Sequence, residues 1–369
     1  MSFPRGSAPL SSRLTPHTAH STHSAHSTYR ASARPVSRAG LTALLIVAAM
    51  ALGACSDDAD PMAAPAASGS PEASSTPTPP PTTLLSGRRG EDDQVLAVKL
   101  DNTVNSHPHA GLIAADVVYL EEVEYGLTRF MAVFSSHYPR VIGPVRSARL
   151  SDLEILQQYG KVAFAFSGAQ GPILDDIARA PLYPLSNDAG ADGYSRNPDR
   201  SAPWDLFADP GELLKGAKKA TKANDVGFVF DDEIPAGGEK TREVTAFWPS
   251  AQAKFVWSPK EERWLLTMDG SKAMSTEGPQ LGGSTVIIQS VDVYPSEYGD
   301  AYGGVTPTTE TIGKGKAWMF RDGQMWPITW SRPKANAGTT WEFRGKPIGF
   351  DPGQVWILLL DDDRRPQIR

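Results

Sequence analysis

A single uncharged apolar run of any length, Leu41–Leu52 (LTALLIVAAMAL), constrains this chain most, because the chain's only cysteine, Cys55, follows three residues behind it. With its flanks the run reaches about 16 positions, short of the roughly 20 that a membrane-spanning helix needs. One cysteine also means that no intrachain disulfide and no cysteine-based zinc site can form. The 369 residues are 40% hydrophobic and 21% charged, a globular composition long enough for two domains. That balance excludes a collagen, a coiled coil, a wholly disordered chain and a multi-span membrane protein. Residues 1–54 hold five arginines and no acid, which leaves 31 basic and 42 acidic residues in the remainder. So acidic a body is unsuited to binding nucleic acid, where affinity comes largely from neutralised phosphates. No nucleic-acid partner is expected.

Arg34 and Arg38 precede the apolar run and small residues follow it, the layout of an export signal with a processing site. Leu52-Gly53-Ala54-Cys55 resembles the lipobox of bacterial lipoproteins, in which the cysteine thiol is diacylated and becomes the new N-terminus. Cys55 carries the only thiol able to form that thioether, and two acyl chains anchor firmly where one does not. The expected partner is therefore the membrane, through Cys55, on the outer face of the cytoplasmic membrane. Residues 1–54 read as the lipoprotein signal peptide. The lead of some thirty residues is long for such a signal and points to a start further along. His17, His20, His23 and His26 lie in it, upstream of the cleavage site, and receive no role. Residues 55–90 read as the lipidated cysteine and a disordered tether. Seven prolines among Ala, Ser and Thr over 56–83 bury too little surface to offset chain entropy. Such a segment is a semi-rigid spacer, with the folded body starting near residue 91.

The body divides by pattern into residues 91–235 and 240–362. In the first, Gln94–Leu100, Ala114–Val123 and Thr128–Ser135 read as strands, the last two as a hairpin bent at Tyr125-Gly126. Ser151–Tyr159 has helical spacing, with Ser151 as N-cap and Glu154 completing a capping box. Val162–Phe166 is a buried strand, Ile173–Ala178 a short helix, Asn197–Ala208 a loop and Pro210–Ala223 an amphipathic helix. Eight of the nine tryptophans fall in the second segment, where short strands alternate with turn signals such as Asp269-Gly270 and Asp322-Gly323. These strands are Thr245–Trp248, Ala253–Trp257, Arg263–Met268, Thr285–Val293, Ala317–Arg321, Gln324–Trp330, Thr340–Phe343 and Val355–Leu360. The expected class is α+β: a mixed α/β N-terminal part, then an antiparallel β-rich C-terminal part, barrel-like or sandwich-like. The tryptophans read as core before they read as a sugar-stacking platform. Gly313-Lys314-Gly315-Lys316 lacks phosphate-loop spacing and leads into a strand.

The densest chemistry is Gly143-Pro144-Val145-Arg146-Ser147-Ala148-Arg149, directly before the predicted helix that holds Asp152. Arg129 lies on the neighbouring hairpin, and Glu121, Glu122 and Glu124 line the strand before it. Arginines near a helix N-terminus can hold a carboxylate or phosphate through bidentate forks and backbone amides. The same arginines can equally pair with the glutamates and Asp152 to fasten the loop, and composition alone favours that. Asp116-Val117-Val118-Tyr119, Gly126–Phe130, Gly143–Leu150 and Phe166-Ser167-Gly168 resemble the YerB-like lipoproteins, envelope proteins built from a two-part domain of unknown function. The resemblance continues through Gly313–Phe320, Asp322-Gly323, Trp330 and Pro352–Ile357, covering about residues 92–360. It implies an envelope location and a two-part architecture, but no reaction. It also implies a shared site at Arg129, Arg146, Ser147 and Arg149. At His109 the family pattern implies a polar, non-titrating residue.

Candidate catalysts are few. His107 and His109 stand two apart beside Asp101, but Pro108 favours a loop and spacing marks no third ligand, so no metal and no cofactor is assigned. Ser167-Gly168 lacks the first glycine of a nucleophile elbow. Glu122 and Glu124, two apart on a strand, point the same way and are the candidate bases, with His109 assisting. The leading function is non-enzymatic: an envelope binding or scaffold module that presents Arg129, Arg146, Ser147, Arg149 and Asp152 to a wall polymer or an envelope protein. The rival is a cell-wall or phosphate-glycan hydrolase or transferase using Glu122 or Glu124. A third reading makes the arginine–glutamate network purely structural. An enzyme should leave one of those acids open beside the arginines, whereas a binding module should show them paired.

Overall fold

The computed structural model describes residues 81–299 and 303–369. The signal segment, Cys55 and residues 55–80 of the tether lie outside them. Thirteen strands form the main sheet: β1 (Leu96–Asp101), β2 (Val117–Glu122), β3 (Thr128–Phe134), β4 (Ala163–Phe166), β5 (Tyr183–Ser186), β6 (Glu239–Lys240), β7 (Thr285–Gly299), β8 (Val305–Glu310), β9 (Gly313–Arg321), β10 (Gln324–Arg332), β11 (Thr340–Phe343), β12 (Lys346–Pro347) and β13 (Val355–Asp361). Their order is β12-β11-β10-β9-β7-β13-β2-β3-β1-β4-β5, with β8 paired to β7 and β6 to β10. β13 runs parallel to both neighbours, β7 and β2. One sheet therefore threads through both sequence segments. The fold is α+β and rich in strands, as the alternation of patterns implies.

Near-continuous apolar runs such as LAVKLD and VWILLLD suit strands covered on both faces. Leu96, Val98 and Leu100 enter one core and Ala97 the other, because strand side chains alternate. Over the first face lies a second, six-stranded sheet. Its main strands are Glu243–Trp248, Ala251–Ser258 and Arg263–Met268. Trp264, Leu266 and Met268 turn inward from the last of these. The other face is covered by α1 (Leu150–Leu156) and α2 (Gly171–Arg179), whose Ile155, Leu156, Ile173 and Ile177 join Tyr119, Met131 and Phe164. Trp248, Trp264, Trp326, Trp330, Trp341 and Trp356 are buried, so most of the tryptophans are core. Among the described residues no helix is long and apolar enough to cross a membrane.

Several boundaries differ from expectation. The ordered body begins before residue 91: Leu85 and Ser86 are fully buried, and the Ser86 hydroxyl donates to Asp116 at 2.6 Å. A short TTLLSG segment carries no periodicity that would reveal this. Arg149, not Ser151, precedes the first turn of α1, and its N–H donates to Asp152 Oδ2 at 2.6 Å. Ser151 and Glu154 instead accept N–H groups of Thr309, Thr311 and Ile312. The third helix, α3, stops at Gly216 (Pro210–Gly216) rather than Ala223, with Asp209 as its N-cap. Within the supposed loop 197–208, Leu206–Ala208 pairs with Tyr194–Arg196.

Candidate functional site

The loop carrying the arginines crosses the carboxyl ends of β1 and β4, which run parallel. Arg146 N–H donates to Lys99 O at 2.8 Å, Ser167 N–H to Arg146 O at 3.0 Å, and Ala148 N–H to Gly168 O at 2.9 Å. Open sheets bind ligands at the carboxyl ends of parallel strands, so the position is the expected one for a site. Arg129, the second residue of β3, lies directly between Asp101 of β1 and Glu121 of β2. Paired positions share a face, so Asp101, Arg129 and Glu121 form one row, with Lys99 two residues below Asp101 on the same side. That is the face on which α1 packs, and α1 brings Asp152 to the row.

The charges lie in layers. Deepest, the fully buried Lys99 ammonium sits between Glu121 and Asp152, 2.7 Å from Asp152 Oδ1. Burial pulls Lys99 down to about 8, against the opposing pull of Asp152. Above it, the buried Arg149 gives Nε and Nη2 to Glu124 Oε2 at 2.9 and 2.6 Å, and Nη1 to Ala148 O at 2.9 Å. Glu124 Oε1 accepts the Thr306 hydroxyl at 2.5 Å. Burial would raise the Glu124 carboxyl, but Arg149 and these hydrogen bonds outweigh it and hold the group below its usual range. Outermost are two half-buried arginines. Arg146 Nε donates to Asp101 Oδ2 at 2.8 Å, and Arg129 Nη1 donates to Ser147 O at 2.8 Å. Burial, and then the neighbouring Arg149, bring Arg129 down to about 9. No carboxylate among the described residues forms an ion pair with Arg129, and beyond these two bonds neither guanidinium donates to another group among the described residues. The Ser147 and Ser167 hydroxyls lie beside them, 3.2 Å apart.

Because the Glu124 carboxyl is held below 4.5, it contributes stability that is fully present above pH 4.5 and lost as pH falls through its lower folded value. The variant Glu124→Gln is expected to lose part of this acid limb. Urea unfolding at pH 7 and pH 3 should show a smaller difference for the variant than for the wild type.

The predicted residues separate. Arg129, Arg146, Ser147, Arg149, Asp152 and Glu124 come together. Glu122 does not, because alternation along β2 turns it to the opposite face from Glu121, where Arg364 holds it at 2.7 Å. The chain then leaves the strand through a 3-10 turn at Glu124–Gly126, so Glu122 and Glu124 do not point the same way. His109 is buried on that opposite face as well. Its Nε2 meets Asp101 O at 2.7 Å, its ring packs on Phe130, and burial drives it down to about 3. Lys99, Asp101, Ser167 and Thr306 are additional members of the site. A lone lysine within an otherwise apolar strand is the signal that could have found Lys99.

Comparison with known proteins agrees with this architecture. Residues 82–224 match the N-terminal domain of a protein family of unknown function, DUF3048, and residues 243–357 match its C-terminal domain. YerB of Bacillus subtilis strain 168, whose name designates it a candidate lipoprotein, is 25% identical over 284 residues, covering 72% of this chain and 81% of YerB. The crystal structure of the Bacillus subtilis YerB protein matches with a TM-score of 0.67 at 20% identity, over 78% of this chain and 99% of that one.

Proposed function

The chain belongs to the DUF3048 family, and from that premise we propose that it is a lipid-anchored extracytoplasmic binding module whose Arg129 and Arg146 take an acidic ligand. The observation that carries this reading is the asymmetry between acids and bases in the site. Every candidate acid is engaged: Glu122 by Arg364, Glu124 by Arg149 and Thr306, and Asp152 by Lys99 and the Arg149 N–H. A general acid or base needs a proton path to substrate, and these carboxylates have given up theirs. Two guanidiniums, by contrast, keep open donors beside two hydroxyls. A carboxylate or phosphate on a wall polymer or an envelope protein fits that set. Arg149 and Asp152 fasten the loop rather than meet the ligand. A purely structural network would leave no such donors on Arg129.

The anchor reading rests on Cys55 behind its apolar run and on the likeness to a protein named as a candidate lipoprotein. The test joins both parts. Cys55→Ser should shift the chain from the membrane to the soluble extracytoplasmic fraction and abolish acyl labelling. Arg129→Gln/Arg146→Gln should stay on the membrane but lose the wall polymer or protein that co-purifies with the wild type. Membrane retention of the Cys55 variant would overturn the anchor. Unchanged co-purification with the arginine variant would overturn the site.

A further inference from the structure

The second sheet carries a cavity on its outer face, the side turned away from the main sheet. The strand Glu243–Trp248 alternates: Val244, Ala246 and Trp248 enter the core, so Thr245 and Phe247 point outward. The strand registers place their neighbours. Lys254 pairs with Thr245 on one side and with Thr267 on the other, and Gln367 pairs with Thr245 from the edge. Directly paired residues share a face, so Gln367, Thr245, Lys254 and Thr267 form one polar row across four strands. Phe247, two residues beyond Thr245 and paired with Gln252, flanks the row on one side. Glu243 flanks it on the other, with Arg369 Nη1 3.4 Å from its carboxylate. Together these side chains line a cavity of about 200 Å³.

Two features distinguish it from a merely solvated face. Thr245 is only 8% exposed although it points away from the core, and among the described residues its hydroxyl has no hydrogen-bond partner. The half-buried Lys254 ammonium forms no ion pair or hydrogen bond among the described residues either. An unspent hydroxyl and an unspent ammonium beside an aromatic ring are groups that a ligand can satisfy. Lys254 and Arg369 against Glu243 leave the lining with a net charge of +1. That balance matches a carboxylate better than a phosphate ester, which carries nearly two charges. The other polar groups, on Thr245, Thr267, Gln252 and Gln367, are neutral and suit hydroxyls, which both donate and accept. Phe247 offers a flat apolar surface. The cavity is smaller than the roughly 300–1,000 Å³ of sites for larger organic ligands, so it suits a single ring. We propose that this cavity binds a saccharide unit bearing a carboxylate, with Lys254 and Arg369 on the carboxylate, Thr245 and Thr267 on ring hydroxyls and Phe247 against the ring.

The full chain, isolated from membranes in a detergent without a sugar headgroup, tests this. It carries Arg129→Gln/Arg146→Gln throughout, so the arginine row contributes nothing and is judged separately. Saturation-transfer NMR follows glucuronate, glucose and acetate as probes. Glucuronate should bind saturably, and glucose and acetate should each bind about tenfold more weakly or worse, because each keeps only part of the recognition. Lys254→Met, which keeps the aliphatic stem, should weaken glucuronate by about tenfold or more, the worth of one hydrogen bond to a charged group. Thr245→Val, which keeps the shape, should weaken glucuronate and glucose alike. Thermal melting controls for folding, and Arg369→Gln, at an exposed position, serves if Lys254→Met does not fold. Absence of saturable glucuronate binding, or binding unchanged in the folded Lys254 variant, overturns the site. Acetate bound as tightly as glucuronate overturns the saccharide, and glucose bound as tightly overturns the carboxylate.

Discussion

Lys99→Met is expected to destabilise the fold by about 3–5 kcal/mol, the usual cost of removing one partner from a buried ion pair. The methionine matches the volume of the lysine stem, so packing changes little, and the loss is electrostatic. Glu121 and Asp152 are both fully buried and would be left facing one another without a cation. Glu121 has no other hydrogen-bond partner among the described residues, so nothing else offsets its desolvation. Asp152 also holds the first turn of α1 through the Arg149 N–H, so the helix should loosen with it. Urea unfolding at pH 7, followed by tryptophan fluorescence, measures the effect. The triple variant Lys99→Met/Glu121→Gln/Asp152→Asn should recover much of the loss, because it removes all three charges. A loss below about 1 kcal/mol in the single variant would show that water reaches the triad and that it is not a buried ionic unit.

The arginine pair should behave in the opposite way, with binding lost and stability kept. A hydrogen bond to a charged group is worth about 1.5–3 kcal/mol. At about 1.4 kcal/mol per tenfold, Arg129→Ala or Arg146→Ala should weaken an anionic ligand roughly 10- to 150-fold each. Arg149→Ala should instead lower the melting temperature, since it strands the buried Glu124. Equilibrium binding of an anionic wall polymer, measured against rising salt, separates these outcomes. The wild type should show a steep salt dependence that flattens in both outer variants. Lysine at position 129 should rescue poorly, because an ammonium cannot reproduce the planar fork. Equal loss of stability in all three variants would make the network a fastening and nothing more.

Much of the scaffold is legible in the pattern of residues, and the reasons are local. Arg263–Met268 alternates and carries Trp264 inward, and Val355–Asp361 is apolar up to its last residue because both its faces are covered. Pattern alone cannot assign partners to charges. Glu122 and Glu124 look equivalent in a strand register, and only the 3-10 turn at Glu124–Gly126 sends them apart. The three arginines likewise look alike, yet Arg149 is paired with a carboxylate while Arg129 is not, a difference set by Glu124, itself held by the Thr306 hydroxyl, reaching one and not the other. Thr306 comes from β8, more than a hundred and fifty residues away, so no window along the chain could have placed it. The partly buried segment 83–87 escapes pattern for a related reason, since Ser86 is held from far along the chain, by the Asp116 carboxylate and the Gly353 N–H.

The position of β13 bears on how such a chain reaches its destination. A polypeptide exported amino end first delivers β2 to the far side well before residues 355–361 arrive, and until then β2 lacks its parallel neighbour. Pairings between residues so far apart in the chain form slowly, because a long loop must close before they stabilise anything. If the chain is exported as the proposed anchoring requires, its sheet would be unable to close until residues 355–361 had followed. The arginine row, built on β1 and β3 next to β2, would gain its full support only once β13 had paired with β2. Truncated products would then carry an open strand edge, a mark by which envelope proteases could remove them.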